Sequence, residues 1–233
     1  MLIRRENISL KKSKGIFYNK KQTIENLYKE KLRVLYLYHY ENIYRKKGMT
    51  LISGLDEAGR GSLAGPVVAS AIVLPLNLFI YNIKDSKKLT PKKRIKIYNK
   101  ILEKAKDVGI GIVEPTIIDK INIARASFLA MKRAILNLKH KPEYLLVDGF
   151  EIPQILIPQL ALIKGEDKSI SIAAASIVAK VFRDNLMIKY DEEFPHYNLK
   201  KNKGYGTKEH FQALRKYGAT RIHRRSYKGV CNP

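Results

Sequence analysis

A chain of 233 residues can bury one large core without covalent staples, and its single cysteine, Cys231, cannot form an internal disulfide, so a reducing cytoplasm is the expected setting. No run of about eighteen apolar residues occurs and the N-terminus lacks a signal peptide's apolar segment, so neither a membrane-spanning helix nor secretion is expected. The formal net charge of +24 is too large to be incidental and favours a polyanion as partner.

That charge is uneven. Residues 1–50 hold 13 Lys and Arg against 4 Asp and Glu, and residues 196–233 hold 10 against 1, whereas the middle of the chain carries 22 against 16. Basic flanks around a more acidic centre suit a polyanion gripped at both ends and presented to acids that hold a cation. The alternative is a lysine-rich composition that merely coats the surface.

Residues 1–21 are basic, show no apolar period and are expected to be loose. From Gln22 to Lys47 the spacing of Ile24, Leu27, Tyr28, Val34, Leu35 and Tyr38 predicts one amphipathic helix or a pair; Val34–Tyr40 also alternates like a strand, but Glu25, Lys29, Glu30, Lys31 and Arg33 favour helix. Leu51–Gly61, LISGLDEAGRG, reads as an apolar strand that ends on Asp56 and Glu57 and runs into a turn carrying Gly59, Arg60 and Gly61. A second strand, Val67–Leu74, follows after a Gly- and Pro-rich turn and is expected to pair antiparallel with the first.

Asp85–Lys88 is a polar loop before a helix from Pro91 to about Ala105, capped by Thr90. Gly109–Val113 is a third strand. Thr116–Lys139 reads as a short and a longer helix, with Ala124, Phe128, Met131 and Ile135 on one face. Tyr144–Val147 is a buried fourth strand ending in Asp148, Leu160–Ile163 a fifth, and Lys168–Glu193 a long helix. Thr207 caps a last helix, with Glu209 as partner in a displaced capping box. The pattern is α/β with a mixed sheet.

Asp56 and Asp148 each end an apolar strand, where open α/β sheets place ligands; either acid alone is equally a solvated turn residue. Glu57 poses a geometric problem, because consecutive strand residues point to opposite faces. Asp184 falls, at about 100° per residue, inside the helical stripe of Ile170, Ala173, Ile177, Val181 and Ile188. A carboxylate there needs a cation: a metal, or Lys180 one turn earlier. Asp56, Glu57, Asp148 and Asp184 offer hard oxygen donors with no sulfur, which selects Mg²⁺ or Mn²⁺ over Zn²⁺. Two such ions about 3.5–4 Å apart can activate a water and stabilise the leaving oxygen of an in-line displacement at a phosphodiester.

Six stretches then share one resemblance: DEAGRG (Asp56–Gly61), LAGPVVASAIVLP (Leu63–Pro75), DSKKLT (Asp85–Thr90), LLVDG (Leu145–Gly149), SISIAAASIVAKVFRD (Ser169–Asp184) and KNKGYGTKEH (Lys201–His210). Together, in order over about residues 50–228, they resemble bacterial ribonuclease HII. The resemblance implies an RNase H-like mixed five-stranded sheet flanked by helices. It also implies a helical N-terminal extension over 1–48, a catalytic core over 49–195 and a small helical C-terminal subdomain over 196–233. The implied activity is cleavage of RNA in RNA–DNA hybrids, or at ribonucleotides embedded in duplex DNA, leaving 3′-hydroxyl and 5′-phosphate ends.

By the same resemblance Asp56, Glu57, Asp148 and Asp184 bind metal, Gly59, Arg60 and Gly61 contact phosphates and the ribose 2′-hydroxyl, and Tyr205 packs on the sugar at the RNA-to-DNA junction. Lys87 and Lys88 are candidate phosphate contacts. Ser62 departs from the family's usual proline. The related HIII type, with its larger N-terminal domain, is the nearest rival, and a non-catalytic nucleic-acid binder is the rival from another class. The residues identify no protein partner.

Overall fold

The computed structural model describes residues 24–84 and 86–231, the side chain of Lys88 excepted, so the expectations for residues 1–21 and for Asp85 lie outside the described residues. Five strands, β1 (Ile52–Ala58), β2 (Val67–Val73), β3 (Asp107–Val113), β4 (Tyr144–Asp148) and β5 (Gln159–Leu162), form one sheet in the order β3-β2-β1-β4-β5. β1–β2 and β2–β3 pair antiparallel, and β1–β4 and β4–β5 pair parallel. The sheet is therefore mixed, as expected.

Helices cover both faces. Residues 24–37 form α1. The others are α2 (His39–Lys46), α3 (Pro91–Lys104), α4 (Pro115–Ile121), α5 (Ile123–Leu136), α6 (Ile170–Glu193), α7 (Leu199–Asn202) and α8 (Lys208–Tyr217). One buried cluster joins α1, α3 and α6 to the sheet through Val34, Leu37, Ile72, Ile101, Ala174 and Ile177. A second packs α5 on the other face through Leu55, Ala69, Ala130, Ala134 and Val147. A third, built on Leu63, Met187, Tyr197, Leu199 and Leu214, joins the C-terminal segment to the end of α6.

Close approach of α6 to the central strand depends on small residues. A Cβ added at Gly54 would lie 2.1 Å from the backbone carbon of Ser171, so only glycine fits in β1 beneath the start of α6. The alanines Ala173, Ala174 and Ala175 continue the close contact along the helix. In consequence α6 packs closely on β1 and β2.

The N-terminal helices are tied down by polar bonds as well as packing. Glu41 of α2, 2% exposed, accepts from the Ser169 hydroxyl at 2.6 Å, from Ser171 N at 3.0 Å and from the Ser171 hydroxyl. A carboxylate thereby caps the positive N-terminal end of α6. Tyr44 stacks on Tyr144 with ring centroids 3.7 Å apart.

Several boundaries differ from the sequence expectation for local reasons. Of the two forms expected over Gln22–Lys47, the described residues show the pair, dividing at Tyr38. β3 begins at Asp107 rather than Gly109, because the Asp107 carboxylate accepts from Val108 N and His140 N at 2.9 Å each and so tolerates the strand end. β5 starts at Gln159, whose amide bonds both backbone groups of Ile152. α6 starts at Ile170, since Ser169 is its cap, and a 3₁₀ turn over Gly165–Asp167 precedes it. Thr90 and Thr207 cap their helices as expected, but Glu209 makes no capping box and lies 3.9 Å from Lys201.

Candidate active site

β1 and β4 run parallel with Leu55 opposite Val147, so continuing that register by one residue sets Asp56 beside Asp148 at the same end of the sheet. This is where the neighbours of the central strand switch direction, the usual ligand position in open α/β sheets. A cavity of about 620 Å³ opens there, lined by Asp56, Glu57, Gly59, Arg60, Gly61, Lys87, Asp148 and Tyr205, with Ser86, Ser176 and Lys180. Strand alternation turns Asp56 toward α6, where Ser176 hydrogen-bonds it, and turns Glu57 toward α5. Both still reach the cavity, because they sit at the strand's end.

The three acids are electrostatically frustrated. Burial, then the neighbouring Glu57 and Asp148 charges, push the Asp56 carboxyl well above the usual carboxylate range, although it accepts from Glu57 N at 2.6 Å. Burial also raises Glu57, against the opposing pull of Arg60, whose Nη1 lies 3.3 Å from its Oε1. Asp148 is raised chiefly by burial, and Gly165 N donates to its Oδ1 at 2.7 Å. The Glu166 side chain hydrogen-bonds Asp148 as well, a carboxyl–carboxyl contact that requires a proton or a cation.

The donor chemistry fits a hard divalent ion: oxygen ligands only, brought to one cavity and raised by burial and by one another's charge. In the side-chain arrangement seen, no three His, Cys, Asp or Glu among the described residues stand ready as a ligand set. Asp184 is turned away from the other acids. Its carboxylate accepts from Lys180 Nζ at 2.8 Å, lies 3.6 Å from Arg94 Nη1, and lines an adjacent cavity of about 370 Å³ with Lys200, Lys201 and Lys203. Lys180 lines the first cavity and so stands between Asp184 and the other three acids.

Raised carboxyl groups destabilise the fold wherever the unfolded chain would ionise them freely. As pH rises from the ordinary Asp value of 3.8 toward the raised value of Asp56, stability is lost. Asp56→Asn removes that penalty, so the metal-free variant is expected to melt about 2–4 °C higher than the parent by calorimetry at neutral pH.

The loop after β1 is clamped from behind by two buried arginines. Arg224 donates to Arg60 O at 2.8 Å and to Gly65 O at 2.9 and 3.0 Å, and Tyr227 adds a 2.6 Å bond to Arg60 O. Arg183 donates to Ala64, Pro66 and Lys203 carbonyls, and a Cβ at Gly59, where φ is +94, would strike its Nε at 2.0 Å. Burial, then Arg224, depresses Arg183 to about 10. Two guanidiniums near each other, neither in a salt bridge with a carboxylate among the described residues, place positive charge behind the Gly59–Gly61 loop. Ser62, at the departure from the family pattern, is fully buried with its hydroxyl unpartnered, yet these clamps hold the loop.

Tyr205 is 39% exposed, and its ring faces Lys180 Nζ at 5.7 Å and Arg183 Cζ at 5.8 Å. Its carbonyl accepts from His210 Nδ1 at 2.9 Å. His210 Nε2 then accepts from His223 Nε2 at 3.0 Å, and His223 Nδ1 accepts from Thr220 N at 3.1 Å. This chain holds both imidazoles neutral and has no position for another proton. Burial, then His210, lowers His223 to about 4, and burial lowers His210.

Because the unfolded histidines bind protons near 6.5, stability is complete above that value and is lost as pH falls toward about 4. The loss is expected to be about 1–3 kcal/mol in denaturant titrations, with the slope flattened in His223→Gln.

Lys87 is exposed on the cavity rim, and its charge pulls Glu57 and Asp148 down. The side chain of Lys88 lies outside the described residues. Sequence reasoning missed Ser86, Ser176, Glu166, Arg183 and Arg224. Only the arginines left a signal, since Arg183 follows a largely apolar helical run and Arg224 opens a basic tail.

Solved structures of known proteins share this architecture. Ribonuclease H2 from Pyrococcus horikoshii OT3 superposes with a TM-score of 0.65 at 26% identity, covering 77% of this chain and 94% of that one. A ribonuclease HIII in complex with Mn²⁺ gives 0.59 at 18% identity over 78% and 68% of the two chains, a likeness of fold alone. The fold class is thus the one shared by these ribonuclease H2 and ribonuclease HIII structures.

Within that class the sequence decides. The family model described as Ribonuclease HII matches residues 53–230. Proteins named Ribonuclease HII from Caldanaerobacter subterraneus subsp. tengcongensis and Bacillus subtilis are 53% and 51% identical, covering 86% and 91% of this chain and 83% and 82% of their own. The chain belongs to the ribonuclease HII family, and its activity is that of a ribonuclease H.

Proposed function

We propose that this endoribonuclease cuts the RNA strand of RNA–DNA hybrids and cuts 5′ of ribonucleotides embedded in duplex DNA, leaving 3′-hydroxyl and 5′-phosphate ends. The supporting observation is the convergence of three frustrated carboxyls, Asp56, Glu57 and Asp148, on one cavity whose rim carries Gly59–Gly61 and Tyr205. These three and Asp184 would hold two Mg²⁺ or Mn²⁺ ions, which supply activation of the attacking water and stabilisation of the leaving oxygen. Asp184 would join the set by giving up its contacts with Lys180 and Arg94.

The remaining residues bind and orient. Gly59 and Gly61 let the backbone approach a phosphate and the ribose 2′-hydroxyl, the group that separates RNA from DNA. Arg60, Lys87 and Lys88 meet phosphates, and the half-exposed ring of Tyr205 receives the sugar at the junction. The segments 1–48 and 196–233 flank the core over 49–195 and add sequence-independent affinity for duplex. The activity suits excision of ribonucleotides from DNA and removal of RNA during replication.

A second reading, a binder without turnover, is favoured by the ion pairs that occupy Asp184. A labelled RNA–DNA hybrid decides between them. The proposal expects RNA cleavage with Mg²⁺ or Mn²⁺, none after chelation, and an intact DNA duplex of the same sequence; the second reading expects salt-sensitive binding and no cut under any condition.

A further inference from the structure

Glu57 and Asp148 stand between two cavities. The second, about 240 Å³, lies on the α5 side of the acids and is also bordered by Arg60; its walls are Phe128 and Met131 of α5 and Phe150 of the turn after β4. Phe150 is 68% exposed although it lies two residues beyond Asp148. Gly149, at φ +81, makes the turn that brings it there. At the floor, Ser127 is 3% exposed and its hydroxyl has no hydrogen-bond partner. A buried hydroxyl left unpaired is costly, and an aromatic ring left in water forgoes its burial.

The ligand that answers these features is narrowly defined. A phosphate finds here mostly apolar walls and one guanidinium, with Glu57 and Asp148 lining the remaining side. A sugar needs several hydrogen-bond partners, and the cavity offers one free hydroxyl and a guanidinium already paired with Glu57. A flat group with apolar faces and one polar edge matches an exposed ring, an apolar wall and a single hydroxyl. We propose that this cavity takes a nucleobase of the bound nucleic acid next to the cleaved linkage, stacked on Phe150 and contacted at its edge by Ser127. The inference rests on the ribonuclease reading for the position of the substrate.

The test is a cycle of protein and substrate changes. Duplexes with one ribonucleotide are prepared intact, or with an abasic residue at each nucleotide flanking the cut linkage on either strand. Each is assayed with the parent enzyme and with Phe150→Ala. On the intact duplex Phe150→Ala is expected to lower kcat/KM about 5- to 100-fold, with Phe150→Trp retaining activity. At one abasic position the parent should lose a similar factor, and Phe150→Ala should then cost nothing further.

Ser127→Ala should change the ranking of the four bases at that position and leave the abasic substrate unaffected. A loss under twofold in Phe150→Ala, or a loss that persists undiminished on every abasic duplex, overturns the base site. The same cycle read as affinity by fluorescence anisotropy in chelator decides the point independently of cleavage. Failure of the parent enzyme to cut would count against the ribonuclease reading alone.

Discussion

Asp148→Asn is expected to lower hybrid cleavage by at least about 10²–10³-fold while duplex affinity stays the same or rises slightly. The reason lies in what the substitution keeps and removes. Asparagine matches the shape of aspartate, and its carbonyl can still accept from Gly165 N, a bond of 2.7 Å in the parent, so β4 and the following turn should persist. It removes one negative charge from a cavity where Asp56 and Glu57 already repel their neighbour. Loss of that charge weakens cation binding and reduces repulsion of a polyanion, so rate and affinity should move apart. Single-turnover cleavage and anisotropy on one hybrid measure both; undiminished cleavage would remove Asp148 from the site.

Gly54→Ala is expected to be among the most damaging single-methyl changes in the fold, costing about 3–5 kcal/mol or preventing folding. The added carbon would lie 2.1 Å from one Ser171 backbone atom and 2.4 Å from Ile172 N, and neither backbone can yield without lifting α6 from the sheet. Since α6 carries Ser176, Lys180, Arg183 and Asp184, the displacement would also disperse the site. Gly61→Ala supplies the contrast. No atom lies within 4 Å of a Cβ there, so its stability should change by no more than about 0.5 kcal/mol, and any lost activity would reflect the approach of substrate. Urea denaturation of the two variants separates these outcomes.

The sheet was legible because its strands are apolar runs bounded by acids, glycines and prolines, and the capping threonines marked two helices. What escaped was set by side chains acting over long sequence distances. Glu41 looks like an ordinary surface acid of an amphipathic helix, yet it is buried against Ser169 and Ser171, more than a hundred residues away. Arg224 reads as one more basic residue of a basic tail, and its four bonds to Arg60, Gly65 and Tyr227 appear only when the chain closes on itself. Within the site, motif order identified Asp56, Glu57 and Asp148 as neighbours. Helical periodicity places Asp184 on an inward stripe, and there it pairs with Lys180 and Arg94. Glu57, on the strand face opposite to Asp56, borders both cavities because it lies at the strand's end.

The proposed activity of this cavity is ribonucleotide-directed hydrolysis. A duplex DNA with a single embedded ribonucleotide, labelled at each end in turn and incubated with the unaltered protein and Mg²⁺ or Mn²⁺, measures that directly. One break on the 5′ side of the ribonucleotide, with a 3′-hydroxyl and a 5′-phosphate at the new ends, is the predicted result. Retention of the full-length strand by protein that demonstrably binds the duplex would contradict it.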